Sequence, residues 1–347
     1  MDRQQAARTA LITAGGVVGT AVGAVGLLAA QVEQAKRSIG VRNTSPPYSD
    51  ARYGASKGPS IRLVMIGDSL ATSLGAVDPR DTMGARLAQL VSEYDGRGVV
   101  LSTVAEVGAR SRDLDQQIDR ALHYRPHVAV IIIGGNDTTH LTPQGQAIKF
   151  LDAAVRRLRS ENVQVVVGTV PDLGTIRPFQ LPLRWVARQL GRSLAAAQTE
   201  CVVQAGGRAV SMGDTLGPEF DARPEDLFAK DRFHPSAEGY EAAAQVLAPS
   251  VIAALSRGES GEVLPDVFQS PAWAPLPQIA ARAAEIPGME ITSAPVVDKT
   301  GKRWVRWARM GRRTLPPKTP VDDAGQHSLS AETRYPGTEW PQDQAPD

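Results

Sequence analysis

The chain has 347 residues, 42% of them hydrophobic and 22% charged, which is an ordinary composition for a globular domain with a sizeable core. Its formal net charge is +1, so the composition excludes a general attraction for nucleic acid and predicts no nucleic-acid partner. Cys201 is the only cysteine, which excludes an intramolecular disulfide and a zinc cluster built on cysteines. It lies in an apolar helical pattern, so we expect a small buried side chain there.

The first predicted element is a membrane segment. No charged residue occurs from Thr9 to Val32, and a helix over these residues would reach about 36 Å, enough to cross a hydrocarbon core of about 30 Å. Arg3 and Arg8 precede it, the arrangement typical of an N-terminus retained in the cytoplasm. Residues 1–32 are therefore predicted to be a single-pass anchor in the cell membrane or, alternatively, the cleaved signal of a secreted protein. In both cases we expect the rest of the chain to be extracytoplasmic.

Three glycines of this segment are regularly spaced. Gly15, Gly19 and Gly23 stand four residues apart, a spacing that lets two membrane helices approach closely. The spacing indicates either a homodimer formed through these glycines or only a composition rich in Gly and Ala.

A regular alternation of strands and helices is predicted after a polar linker, which Pro and Gly residues indicate at 33–60. Apolar runs predict four buried strands, at 61–66, 99–107, 127–133 and 163–170. Apolar residues at helical spacing predict four helices, at 83–94, 114–122, 147–158 and 240–247, with Ser236 as the N-cap of the last. Strands that are apolar on both faces and alternate with amphipathic helices indicate a parallel sheet covered on both sides. The predicted fold of residues 61–257 is therefore an α/β domain.

Candidate functional residues follow three of the predicted strands. In open parallel sheets the ligand crevice lies beyond the carboxyl ends of the strands. Ser69, Gly108 and Asn136 each come just after a strand of the predicted sheet. We therefore expect these three residues to converge on one crevice.

The types of these residues fit the requirements of acyl transfer, which needs an activated nucleophile, a base and donors to an oxyanion. Ser69 lies on a predicted strand-to-helix turn, where it is either a nucleophile or a helix N-cap. Asp231 precedes His234 by three residues, so a tight turn would let its carboxylate fix the tautomer of the imidazole. The amide of Asn136 can donate to an oxyanion or satisfy its own loop. Gly108 either lets its N–H approach a ligand closely or marks a simple turn.

Together these residues resemble the SGNH (GDSL) hydrolase family, whose name lists its Ser, Gly, Asn and His blocks. The resemblance covers about residues 60–257 and keeps the family's order of blocks. The matching blocks are GDSL at 67–70, Gly108 within EVGARS, GGND at 134–137 and DRFHP at 231–235.

The resemblance implies a role for each matching residue. Ser69 would be the nucleophile, His234 the general base and then general acid, and Asp231 the acid that orients it. The oxyanion hole would consist of the backbone N–H groups of Ser69 and Gly108 with the amide of Asn136. The resemblance also implies a three-layer α/β/α sandwich with a flavodoxin-like sheet, usually of five parallel strands, and chemistry without a cofactor or a metal.

The expected function is that of an extracytoplasmic serine esterase. Its substrates would be short acyl esters, including acetyl esters, of a small molecule, a lipid or a glycan. One alternative is an acyltransferase that uses the same triad and passes the acyl group to a sugar hydroxyl. Another is a membrane-tethered protein whose hydrolase-like domain binds a ligand without turning it over.

Other polar residues give weaker signals. His123, His127 and His140 lack the spacing of metal ligands, so they are predicted to be surface or helix-end residues. The GGND block does not match a dinucleotide-binding glycine motif. Asp172 follows the fourth predicted strand, where it either contacts substrate or holds a turn.

The last part of the chain, residues 258–347, is rich in proline and is predicted to be a largely irregular tail. Within it, residues 301–313 place six basic residues around Trp304 and Trp307. This basic segment can lie on an anionic lipid surface or a cell-wall polymer. The alternatives are a solvated stretch, or a strand or helix docked on the domain.

Overall fold

A central β-sheet organises the chain in the computed structural model, which describes residues 26–35, 37–39, 45–213, 220, 222–255, 277, 280–281, 284, 290–297 and 303–310. Its strands are β1 (Arg52–Tyr53), β2 (Ser60–Gly67), β3 (Gly98–Thr103), β4 (Val128–Ile132), β5 (Gln164–Gly168), β6 (Arg208–Val210), β7 (Glu290–Val297) and β8 (Arg303–Met310). They lie in the order β1-β3-β2-β4-β5-β6-β7-β8. The pairs from β3 to β6 are parallel, whereas β1, β7 and β8 pair antiparallel. The five parallel strands have the flavodoxin-like order, so this part of the predicted fold is confirmed.

Helices cover both faces of the sheet. They are α1 (Met83–Asp95), α2 (Leu114–His123), α3 (Gly135–Thr139), α4 (Gln144–Ser160), α5 (Leu183–Gln204), α6 (Pro224–Leu227) and α7 (Ala237–Leu255). Buried side chains of α1 and α7 pack on one face, and those of α2, α4 and α5 pack on the other. The three-layer α/β/α arrangement is thus confirmed. Cys201 is a buried free thiol on α5, as expected.

Strand β4 shows why the predicted strands are apolar without alternation. All five of its residues are buried. Val128, Val130 and Ile132 belong to the core beneath α1 and α7, and Ala129 and Ile131 belong to the core beneath α2, α4 and α5. Because successive side chains of a strand point to opposite faces, a strand between two helical layers is apolar at every position.

Residues that favour helix ends stand at both ends of α1 and at the start of α7. Thr82 caps α1, since its hydroxyl accepts the N–H of Ala85, and Gly96 ends that helix with a φ of 85°. Ser236 precedes α7, and its hydroxyl accepts the N–H of Gly239 at 3.3 Å, as predicted. The start of α7 is therefore well defined just after the DRFHP block.

Strand β6 was not predicted from the sequence, and of helix α5 only the helical pattern around Cys201 was. The helix has 22 residues, and its buried Leu183, Ala187 and Gly191 recur every four residues, which is a helical spacing. Strand β6 has only 3 residues. It is too short to give a recognisable pattern by itself, and its place depends on pairing with β5.

The N-terminal part of the chain is helical over residues 26–35 and runs through the predicted boundary between residues 32 and 33. Its apolar side chains pack on the α/β domain rather than standing apart from it. Within the described part of the chain, no helix is both long enough and apolar enough to cross a membrane. The earlier part of the predicted membrane segment lies outside the described residues, as do Gly15, Gly19 and Gly23.

Two segments predicted to be irregular contain strands. In the linker, Arg52–Tyr53 forms β1 against β3. In the C-terminal tail, β7 and β8 form an antiparallel hairpin whose first strand pairs with β6, and most of the rest of 258–347 lies outside the described residues. These strands were missed because they depend on pairing with distant strands and interrupt stretches rich in Pro. The backbone of 303–310 in the basic segment is β8, and the rest of 301–313 lies outside the described residues.

Candidate active site

The loops that follow β2, β3 and β4 meet at the carboxyl end of the sheet, and two of the three residues expected to converge there, Ser69 and Asn136, line one pocket. Hydrogen bonds join the loops. The N–H of Glu106 donates to the carbonyl of Gly67 at 3.0 Å, and the amide of Asn136 donates to the carbonyl of Ala109 at 3.1 Å. Because each loop begins at a strand of one sheet, these contacts fix the three sequence blocks relative to one another.

A sharp turn at the end of β2 presents Ser69. Gly67 has a φ of 136°, and a Cβ added to it would lie 1.8 Å from the carbonyl oxygen of Ile132 on β4, so only glycine fits there. The N–H of Asp68 donates to that same carbonyl at 3.1 Å. Residues 69–76 form turns, and α1 begins at Met83, where the sequence predicts the next helix to begin.

The three predicted triad residues form a continuous hydrogen-bonded chain. The hydroxyl Oγ of Ser69 lies 3.0 Å from Nε2 of His234, and Nδ1 of His234 lies 3.0 Å from Oδ2 of Asp231. The other carboxylate oxygen of Asp231 accepts the N–H groups of Phe233 and His234, both at 3.0 Å. The turn is tight, because Arg232 has a φ of 56°. The Ser69 hydroxyl thus points to His234 rather than to a helix end.

Opposing effects set the charge of Asp231. Burial raises its pKa, but hydrogen bonds from His234 and from the backbone N–H groups of Phe233 and His234 outweigh burial, so the pKa lies below its ordinary value. An ionised carboxylate can only accept hydrogen bonds, so the hydrogen of the neutral imidazole is on Nδ1 of His234. The lone pair of Nε2 then faces the hydroxyl of Ser69, which is the arrangement a general base needs.

Of the two further residues predicted for the oxyanion hole, one lines the same pocket as Ser69 and the other does not. Asn136 lines the pocket together with Ser69 and His234. Its contact with Ala109 uses one of its two amide hydrogens. Gly108 is exposed and has a φ of 84° in a turn that the N–H of Ala109 closes on the carbonyl of Glu106 at 3.1 Å. This conformation requires glycine, and no atom lies within 4 Å of where a Cβ would stand.

Two buried carboxyl groups were not identified from the sequence. Asp137 is 1% exposed, and its Oδ2 accepts both the N–H and the hydroxyl of Ser111, at 2.9 and 2.8 Å. Asp68 is 2% exposed, and its Oδ1 accepts the N–H of Leu70 at 3.0 Å. Burial, with a smaller contribution from Asp137, raises the pKa of Asp68 to about 7. The sequence signal that could have identified them is position, because each carboxyl lies in a block that directly follows a buried strand.

The pocket in front of Ser69 has largely apolar walls. The end of β4 and loops and helices from distant parts of the chain contribute the side chains, which include Met83, Ile132, Leu173, Ile176, Met212, Phe228 and Phe233. Asp172 also lines it, and its Oδ1 accepts the N–H of Gly174 at 2.7 Å while Arg188 lies 3.0 Å from its Oδ2. Asp172 therefore both holds a turn and lines the pocket, so its placement fits each of the two roles that the sequence left open.

The other three histidines among the described residues lie apart from this pocket. Nδ1 of His127 accepts the N–H of Arg62 at 3.0 Å, and burial lowers the pKa of His127 to about 4. His123 and His140 are exposed near helix ends. Within the described part of the chain, no three His, Cys, Asp or Glu side chains are grouped so that they could hold a metal ion.

Comparison with known proteins gives consistent matches. A model of the GDSL-like lipase/acylhydrolase family matches residues 65–242. A GDSL-like esterase of Mycobacterium tuberculosis is 40% identical over 253 residues, which are 69% of this chain and 81% of that protein. Among solved structures, a lipase from a goat rumen metagenome has a TM-score of 0.46 at 17% identity, covering 56% of this chain and 97% of its own. An acetylxylan esterase of Geobacillus stearothermophilus has a TM-score of 0.44 at 19% identity, covering 59% and 96%.

Proposed function

Because this chain belongs to the GDSL-like lipase/acylhydrolase family and is an ester hydrolase, we propose that Ser69, His234 and Asp231 are its catalytic triad. The observation that carries this proposal is the pair of 3.0 Å contacts that link Ser69 to His234 and His234 to Asp231. No side chain has to move for His234 to accept the proton of Ser69.

In the proposed mechanism, Oγ of Ser69 attacks the acyl carbon of the ester while Nε2 of His234 takes the hydroxyl proton. The negative charge that develops on the carbonyl oxygen is stabilised by the N–H groups of Ser69 and Gly108 and the amide of Asn136. The intermediate collapses when His234 gives its proton to the departing alcohol. Water then attacks the acyl-enzyme in the same way, His234 takes a proton from it, and the acid is released as Ser69 regains its hydrogen.

We further propose that the acyl groups are short, acetyl among them. Ser69 and His234 expose only 8% and 9% of their surfaces, so the acyl carbon must enter an enclosed site to reach the nucleophile. The largely apolar walls of that site favour the hydrocarbon part of an ester over charged groups. Neither acyl transfer nor non-catalytic binding is favoured, since the named relatives are esterases and acylhydrolases.

The triad is tested with aryl esters of increasing acyl length and a serine-directed phosphonate. The full-length protein should hydrolyse short-chain esters, and Ser69→Ala should abolish turnover. The matched control is Ser160→Ala, which changes an exposed serine at the end of α4 and should keep full activity. Mass spectrometry should place the phosphonate on Ser69. A label on another serine, or turnover that survives Ser69→Ala, would reject the triad.

We also propose that the catalytic domain is extracytoplasmic and that the N-terminal segment brings it there. This proposal is supported by the stretch without charged residues that follows Arg3 and Arg8. Since residues 26–35 pack on the catalytic domain, a membrane helix would end before Gly26. Residues 9–25 would reach about 25 Å, at the lower end of what spans a bilayer. A C-terminal reporter that works only in the cytoplasm should be inactive, and strong reporter activity would reverse this topology.

A further inference from the structure

The helix at residues 26–35 rests against the segment that forms one wall of the substrate pocket. We propose that this helix positions the wall and thereby limits the length of the acyl group that the enzyme accepts. The inference rests on the proposed function, and it makes Gln31 a positioning residue rather than a catalytic one.

A single side chain joins the helix to the start of α5. Gln31 is 9% exposed; its amide nitrogen donates to the carbonyl of Leu181 at 2.7 Å, and its amide oxygen accepts the N–H of Leu183 at 3.1 Å. Pro182, between those two residues, stands at the N-cap position of α5 and supplies no capping hydrogen bond. The first N–H groups of a helix need an acceptor from outside it. Gln31 therefore supplies from a distant part of the chain the contact that α5 lacks locally.

Apolar contacts join the same helix to the pocket wall. Leu28, Val32 and Ala35 lie on one face of the helix, at spacings of four and three residues. They belong to a cluster with Leu173, Ile176, Phe179, Leu183, Ala187 and Phe233. The helix and the wall thus share one small core.

Three members of this cluster also line the pocket, namely Leu173, Ile176 and Phe233. The ring of Phe233 stands edge-on to the ring of His234, with 4.8 Å between their centroids. The N-terminal helix is therefore one layer away from the space that the acyl group occupies. If the helix contacts are weakened, Leu173 and Ile176 lose the surface that holds them toward the pocket, and the pocket can lengthen.

The expected effect is a change in selectivity rather than a uniform loss. Each methylene that gains a buried site contributes a factor of about 4 to binding, so room for two more methylenes should change the relative preference for a long acyl chain about 15-fold. Short esters already fit, and they should gain nothing from the added space.

The test compares kcat and KM for acetyl, butyryl and octanoyl aryl esters in full-length variants. Gln31→Ala should raise the octanoyl-to-acetyl ratio of kcat/KM about 15-fold. Gln31→Glu keeps the acceptor for Leu183 but loses the donor to Leu181, so it should fall between Gln31→Ala and wild type. The matched control is Leu27→Ala, which changes a 50% exposed residue of the same helix and should leave the ratio unchanged.

Two outcomes would overturn this inference. The first is an unchanged ratio in Gln31→Ala. The second is an equal fall for all three esters together with a lower Tm, which would assign Gln31 a purely structural role. Failure of the proposed function is distinct, because then the wild type would hydrolyse none of the esters or Ser69→Ala would remain active.

Discussion

Replacing Asp68 with asparagine should stabilise the protein relative to wild type, and more strongly as the pH rises. The carboxyl group is 2% exposed, and burial, with a smaller contribution from Asp137, raises its pKa from 3.8 to about 7. Asparagine keeps an oxygen that can accept the N–H of Leu70 but never ionises. The variant therefore avoids the cost of holding a buried charge above neutral pH.

The direction follows from the raised pKa, because the folded state holds the Asp68 proton more tightly than the unfolded state. Below pH 3.8 the group is protonated in both states and costs nothing. As the pH rises from there to about 7, the free energy of unfolding of the wild type falls. The full difference is about 4 kcal/mol at 1.36 kcal/mol per pKa unit, and linkage places more than half of it between pH 5 and pH 8.

Urea denaturation of both proteins at several values between pH 5 and pH 8 measures this difference. The free energy of unfolding of Asp68→Asn minus that of wild type should rise by about 2–3 kcal/mol over that interval. Asp78→Asn is the control, because hydrogen bonds from Arg80 lower the pKa of Asp78 to about 2, so this carboxyl is ionised in both states throughout the interval. A difference that stays constant with pH for Asp68→Asn, or that rises equally for Asp78→Asn, would refute the reasoning.

Three further substitutions test single contacts of the site. Asp231→Asn should leave the fold intact but lower kcat on the order of 10⁴-fold, because His234 loses the partner that fixes its tautomer; unchanged kinetics would remove Asp231 from the triad. Asn136→Ala should lower kcat by about 10²–10³ with little change in KM, and a near-normal kcat would exclude its role as an oxyanion donor. Gly67→Ala should lower the free energy of unfolding by at least about 3 kcal/mol, because its Cβ would meet the carbonyl of Ile132; a wild-type Tm would contradict the geometry of this turn.

Much of the fold and the triad could be predicted because their signals are local. A strand between two helical layers has an apolar residue at nearly every position, and β4 is recognisable for that reason. Asp231 and His234 are only three residues apart, so one tight turn makes their contact. Ser69 follows a glycine that the end of β2 requires, and Asn136 follows the end of β4. The order of these elements then predicts which end of the sheet carries the site.

Contacts between distant parts of the chain were decided only by the tertiary structure. The two hydrogen bonds of Gln31 span 150 and 152 residues, and no pattern near Gln31 indicates them. The C-terminal hairpin depends in the same way on the edge of β6. The pKa of Asp68 depends on how deeply the loops after three strands bury it. Sequence patterns report the periodicity and the turns of a segment. Other features arise from surfaces that meet only when the chain has packed, namely the pocket walls, the hydrogen bonds that Gln31 makes to the start of α5 and the desolvation of Asp68.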